Sequence, residues 1–513
     1  MVATAPADQG RRASALAIPF LGVLGAVQGS APNISSTALV GASRGLDMVG
    51  ATLALGSSMQ TMAIAATVIS TGLLADRLGR RRVLIAALVV GAIGQIVVAA
   101  SVVPAMFLLG QAITGIGLGA LYGAAFAYIR VMAKPGQLAG AVGLFTAVLG
   151  LATLLLTFVG GALSSLDWRA AYLVVPAVIL LLVFLVPVVL PAEPTVGSGK
   201  QDVLGQVLLG VGIVAFLYGV SELGRSLTSP RTLGPILLGL ALWIAFYLVE
   251  RRRQNAFFPV GLFRHPLFIA AVLAGFVYNF GMAVAFLQVT NLWQYVDGLK
   301  TLEVSFWQLP LTAAGIVSAL LFGRLMTKGM TNRTAFLIGG ATTVVGYVLL
   351  AMAHGSTSLL GFLPGLVITG AGVIICAIPF GNLILKLAPP EYFGPVTSSR
   401  TTFGQLFYSM GFALATVAVN KLTEGGTVNR LEAAGVQPNQ IGTALDAVTA
   451  YAAQSTAPDT SLGKQALATA VESYSNAFST VMIISAVLLA LATGVGVLLM
   501  RSSETEPAKA GEQ

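Results

Sequence analysis

The chain has 513 residues, 56% of them hydrophobic and 9% charged, with a mean hydropathy of +0.88; a soluble globular chain carries about 25% charged residues. The composition excludes a soluble fold, and uninterrupted apolar runs of helical length, in place of strands of about ten alternating residues, exclude an outer-membrane barrel. Lys plus Arg is 28 against 19 for Asp plus Glu, a net charge of +9, but the basic residues cluster between apolar runs, as cytoplasmic loops do, which argues against nucleic acid as a partner. Cys376 is the single cysteine, so no intrachain disulfide or cysteine-based metal site is available.

In chain order, residues 1–12 carry a short basic flank but no small-residue cleavage site, and the first apolar run is expected to be a retained helix. Fourteen spans are expected, at about 15–42, 48–75, 83–101, 104–129, 138–163, 170–190, 203–223, 233–249, 267–291, 304–325, 334–353, 358–385, 396–420 and 476–500. An even count places both termini on one side. With the termini inside, twenty Lys and Arg face the cytoplasm, among them Arg11, Arg12, Lys200 and Lys509, and eight face outward, among them Arg225 and Lys300.

Three segments read as lying outside the membrane: a Pro/Gly/Ser linker at 191–202, a basic loop at 250–265, and a polar stretch at 421–475 on the outer side. The last is a partly helical outer loop on the plainer reading and a substrate-capturing or partner-binding cap on the other. The expected organisation is a six-helix half over 1–190, a linker with two inserted helices over 191–266, a second six-helix half over 267–500, and a cytoplasmic tail over 501–513.

Between the second and third spans stand Gly72, Leu74, Asp76, Arg77, Gly79, Arg80, Arg81 and Arg82. A glycine lets helices approach closely, a carboxylate at a helix end meets the positive N-terminus of another helix, and the arginines pair with it or with lipid headgroups. A purely topogenic loop explains the arginines but not Gly72 and Asp76. A degraded copy lies 251 positions later, with Gly323, Leu325, Lys328 and Arg333 kept and Thr327 in place of the aspartate. An internal repeat of this kind places a site between two halves near the bilayer midplane.

The 72–82 segment resembles the G-x-L-x-D-R-x-G-R-R/K loop signature of the major facilitator superfamily. Gly110 to Gly117 resembles that family's fourth-span segment, with Gln111 where an arginine usually stands. Gly160-Gly161 with Trp168-Arg169, Leu287 to Gly298 with Pro310, and Gly394 to Gly411 around Gln405 are similar to segments of the fourteen-span drug:proton antiporter branch. The resemblance implies an all-α integral membrane protein with the major facilitator fold: two six-helix halves plus two inserted helices, 14 transmembrane helices. It also implies an acid in the first span, where Gln28 stands instead, followed by Asn33 at the usual asparagine. An amide carries no proton, so proton coupling and cation preference are not supported at that position.

Glu222 is the best remaining intramembrane acid, as a proton-coupling residue or, as the sequence favours, a boundary residue paired with Arg225. Buried polar residues in spans face a cavity or another helix, and Gln28, Asn33, Gln60, Gln111, Gln288, Asn291, Gln308 and Gln405 are expected to line a central, nearly neutral, amphipathic cavity. Arg400 reads as a snorkelling anchor in preference to a site for an anionic headgroup. Gly41-Ala42-Ser43-Arg44-Gly45 lacks the strand-to-helix context of a nucleophile elbow, and Gly197 to Lys200 lacks the residues of a phosphate loop. The expectation is a secondary active exporter of hydrophobic or amphipathic compounds in the cell membrane, working by alternating access, coupled to protons, without cofactor or enzymatic activity. A lipid or lipid-linked metabolite transporter on the same fold, and a non-transporting receptor or scaffold, are the alternatives.

Overall fold

A computed structural model of the chain describes residues 16–48, 50–192, 202–223, 226–253, 256, 258–299, 301–355, 358–454 and 459–504. Arg11, Arg12, Lys200, Arg225, Lys300, Lys509 and most of the 191–202 linker and of the 501–513 tail lie outside the described residues. The chain is all-helical: α1 Ala17–Gly45, α2 Gly50–Leu78, α3 Arg80–Ala99, α4 Pro104–Met132, α5 Leu138–Ser164, α6 Trp168–Ala171, α7 Val174–Val189, α8 Val203–Glu222, α9 Pro230–Arg252, α10 Pro266–Tyr295, α11 Thr301–Trp307, α12 Leu309–Thr327, α13 Asn332–Met352, α14 Leu363–Leu387, α15 Phe393–Ala433, α16 Pro438–Gln454 and α17 Ser461–Glu504. Among the described residues, thirteen helical stretches are long and apolar enough to cross a membrane. α1 is not among them although it has 29 residues, because Gln28, Ser30, Pro32, Asn33, Ser35 and Ser36 interrupt its apolar sequence.

Helices α1 to α7 pack on one another, as do α10, α12, α13, α14, α15 and α17, and the two groups meet along α2–α15 and α5–α12. The internal repeat extends beyond the loop motif into these packed seams. On α3–α4, Gly94 faces Thr114, Gly110 faces Val98 and Gly117 faces Gly91; on α13–α14, Gly346 faces Thr369, Gly365 faces Leu350 and Gly372 faces Thr343. Backbones approach closely at these points because no Cβ intervenes, the usual means of helix association where lipid supplies no hydrophobic drive.

α8 and α9 form a hairpin. Met62 and Ala65 of α2, Ile213 and Leu217 of α8 and Leu406 of α15 share one apolar cluster, so α8 lies over the α2–α15 groove. The hairpin is pinned at its base by buried Asp202, whose Oδ1 accepts the Gly205 N–H at 2.9 Å and pairs with Arg253, while Glu250 Oε2 accepts the Phe258 N–H at 3.1 Å. An N-cap replacement costs about 1 kcal/mol, and here an ion pair is lost with it. Asp202→Ala is therefore expected to lower the detergent-solubilised Tm by several degrees while transport per folded molecule stays within about twofold; an unchanged Tm would show that the hairpin base does not limit stability.

The 421–475 stretch is almost wholly helical. α15 continues to Ala433 and α17 starts at Ser461, and α16 packs with them through Leu431, Ala444 and Ala466. Arg430 Nη1 meets Glu472 Oε2 at 2.6 Å. At 41 and 44 residues, α15 and α17 run about 60 Å at 1.5 Å per residue, twice a 30 Å hydrocarbon core, so they project well beyond it.

Candidate functional site

The arginine-rich face is where the two groups of helices grip each other. Asp76, in the last turn of α2, accepts Arg80 Nη2 on Oδ1 at 2.8 Å and the backbone N–H of Gly394 on Oδ2. Gly394 lies in the first turn of α15, whose N–H groups have no partner within the helix and carry the positive end of its dipole. Arg130, in the last turn of α4, donates to the Leu385 and Ala388 carbonyls at 3.1 and 3.3 Å, filling the opposite need at the C-terminus of α14. Both Arg80 and Arg130 lie over the Phe393 ring, at 4.9 and 5.1 Å from its centroid. The α14–α15 turn is thus held by one carboxylate and two guanidiniums from the first half.

Gly72 makes this grip possible. A Cβ there would lie 2.6 Å from the Gly394 carbonyl oxygen and would also strike Ser398 Oγ. The α5–α12 seam repeats the arrangement: a Cβ on Gly143 would lie 2.5 Å from the Ala319 carbonyl, and Gly323 packs on Gly143. The spacing Gly72 to Gly323 equals that of Gly143 to Gly394, so each glycine contact is the other's repeat. Thr327, at the place of Asp76, turns its hydroxyl to the Gly323 carbonyl of its own helix at 2.9 Å, and this seam closes without a charge.

Above these contacts lies a cavity of about 390 Å³ between the two helix groups, with walls from α1, α2, α4, α5, α10, α12, α14 and α15. Gln28, Asn33 and Gln405 line it, with Asn279, Tyr122, Tyr278, Tyr408 and apolar residues such as Leu149, Met282, Phe286 and Ile374. The other five expected lining residues are elsewhere. Gln111 donates to Ser35 Oγ at 2.7 Å inside the first half, and Gln308 donates to the Phe286 carbonyl at 3.0 Å and Thr290 Oγ1 at 2.8 Å within the second. Gln60 and Gln288 are buried between helices with no hydrogen bond to their amides among the described residues, and Asn291 bonds Tyr474. Glu222 ends α8 beside Thr232 of α9, outside the lining.

Arg400 departs most from expectation. It does not snorkel: it is 5% exposed and forms part of the cavity wall, two turns into α15 from the Gly394 contact. Its guanidinium carbon lies 4.6 Å from the Phe126 ring, 5.2 Å from Phe380 and 5.6 Å from Tyr122. A charge at the bilayer centre costs about 2.5–3.5 kcal/mol on insertion scales, and desolvated cation–π contacts return about 2 kcal/mol each, so this cage holds the ion without a carboxylate. No Asp or Glu is among the described lining residues. Sequence reasoning missed the cage because its rings come from α4 and α14, far from Arg400 in the chain.

The sequence profile of the Major Facilitator Superfamily matches residues 15–412. The chain belongs to that superfamily. Puromycin resistance protein pur8 of Streptomyces alboniger is 28% identical over 391 residues, 74% of this chain and 75% of that protein. Multidrug efflux pump LfrA of Mycolicibacterium smegmatis is 23% identical over 449 residues, 86% and 87% of the two chains. Among solved structures, the human organic anion transporter MFSD10 (TETRAN) covers 94% of this chain and 100% of its own with a TM-score of 0.60; at 15% identity the likeness is one of fold. As a superfamily member with this helical architecture, the protein is a multi-pass membrane transporter.

Proposed function

We propose that this transporter exports hydrophobic or amphipathic compounds by alternating access, with residues 1–190 and 267–500 as the moving halves, 191–266 as linker and inserted hairpin, 501–513 as tail, and α1 as the fourteenth span. The arginine-rich face is cytoplasmic in this reading, with both termini on that side of the cell membrane, and the structure corresponds to an outward-facing state. The observation that carries the proposal is the cavity between the halves, largely apolar, set with amides and phenols, and closed on one side by the Asp76–Gly394 contact. The relatives named for puromycin resistance and multidrug efflux support the substrate class.

Proton drive, at about 2.3 kcal/mol per charge per 100 mV, belongs to this reading. With no acid among the described residues of the cavity wall, the candidate carriers are Asp76 at the closed face and Glu222 on α8. Everted vesicles given a panel of fluorescent amphipaths in the external medium, with and without an imposed pH gradient, are expected to show gradient-dependent accumulation. Flux indifferent to the gradient would remove the coupling; no flux of any compound would remove the export proposal. Glu222→Gln is expected to change transport by less than about twofold, because Glu222 stands away from the cavity. Loss of gradient dependence in that variant alone would instead make Glu222 the proton carrier.

A further inference from the structure

The cavity wall has one formal charge among its described residues, and that charge is positive. Arg400 is buried, and among the described residues no carboxylate meets it and no hydrogen bond is made by its Nε. Aromatic faces stabilise a guanidinium but leave its charge and its five N–H donors intact. The hydroxyl oxygens of Thr401, and of Thr153 and Thr157 farther along α5, also have no hydrogen-bond partner among the described residues, and all three residues line the same cavity. A planar, permanently charged fork with idle hydroxyls around a low-dielectric chamber is a recognition site for a carboxylate, sulfonate or phosphate. The same field repels a cation, and low-dielectric walls focus it toward the chamber.

We infer that Arg400 receives the anionic group of the transported molecule, so that the preferred substrates are organic anions or zwitterions with a bulky apolar body, in place of lipophilic cations. The inference rests on the export reading and narrows its substrate class. The apolar body lies against Leu149, Met282, Phe286 and Ile374, and the charged group sits at the floor, where Tyr122 and Phe126 of the first half and Phe380 of the second converge on the guanidinium. The anionic group comes either from a free solute or from the headgroup of an anionic phospholipid.

The test uses the purified full-length protein in phosphatidylcholine nanodiscs and three probes on one pyrene body: pyrenebutyrate, its methyl ester, and a trimethylammonium analogue. Wild-type protein is expected to bind pyrenebutyrate at least about tenfold more tightly than the ester, a difference of about 1.4 kcal/mol, and the cation most weakly. Arg400→Gln is expected to bring pyrenebutyrate down to the ester's affinity while the ester binds as before, which also shows that the variant is folded. Arg400→Lys, which keeps the charge but not the planar fork, is expected to keep part of the preference. Equal binding of the three probes, preference for the cation, or an anion preference that survives in Arg400→Gln overturns the inference and leaves the export reading standing. Failure of all three probes to bind counts against the export reading itself. Repetition with phosphatidylglycerol in the disc separates the two sources: competition that disappears in Arg400→Gln identifies a lipid headgroup, and unchanged pyrenebutyrate affinity identifies a free solute.

Discussion

Asp76→Asn is expected to lower net export at least about fivefold with normal amounts of protein in the membrane. The asparagine keeps the shape and still accepts a hydrogen bond from the Gly394 N–H, so packing at the closed face survives. What is lost is the charge that strengthens that bond, the pairing with Arg80, and the attraction to the N-terminus of α15. Hydrogen bonds to charged groups contribute about 1.5–3 kcal/mol against about 1 for neutral ones, and the helix-end interaction adds about 0.3–1. A net loss of 1–2 kcal/mol moves a two-state population by a factor of about 5–30. The shift is toward opening at the arginine-rich face. Spin labels at Arg82 and Glu391, both exposed there, placed in a Cys376→Ala background, are expected to report longer distances by pulsed electron resonance. An unchanged distance distribution together with unchanged export would remove the gating role of Asp76, Arg77, Gly79, Arg80 and Arg81.

Gly72→Val is expected to be more severe, with export reduced more than tenfold. No rotamer of valine relieves the clash, because the first atom beyond the backbone already lies 2.6 Å from the Gly394 carbonyl oxygen. The helices must separate, and with them Asp76 leaves the α15 terminus. Gly143→Val at the repeated seam is expected to have the same effect for the same reason, since the carbonyl of Ala319 stands 2.5 Å away. Gly161→Val is the control: nothing lies within 4 Å of its Cβ position, and export is expected within about twofold of wild type. Equal loss in all three variants would mean that valine harms insertion generally; equal tolerance would mean that the closed face is not part of the transport cycle.

The closed face was legible in the sequence because its chemistry is local. Gly72, Asp76 and Arg80 fall together at the end of α2 and the start of α3 in a spacing that close helix approach and a helix-end contact explain, and the copy at Gly323 and Thr327 announces the second seam. The cavity wall was legible only in part. Gln28, Asn33 and Gln405 line it, but Gln60 and Gln288, equally polar and equally central in their helices, turn toward neighbouring helices instead. A helix that is apolar all round has no hydrophobic face from which to choose the inward direction, so polarity marks a position without its orientation. Arg400 fails for a related reason. A cation a few residues from a basic face has the sequence appearance of an interfacial anchor, and its three aromatic partners are brought to it only by the packing of both halves. The 421–475 stretch reads as a partly helical outer loop, and Leu431, Ala444 and Ala466 supply the apolar surface that packs its helices into a small stub.

A solute already dissolved in the bilayer meets two unlike flanks of this protein. On one, α8 caulks the groove between α2 and α15 with Ile213 and Leu217 wedged against Met62, Ala65 and Leu406. On the other, Leu151, Leu155 and Phe158 of α5 and Val317 and Leu321 of α12 are exposed where lipid tails border the molecule. The two halves are related by a repeat, but their flanks are not: the inserted hairpin covers one seam and leaves the other bordered by lipid. Bulk added along the lipid-facing side of α5 and α12 is therefore expected to slow solutes that enter from the bilayer while leaving those that enter from water untouched.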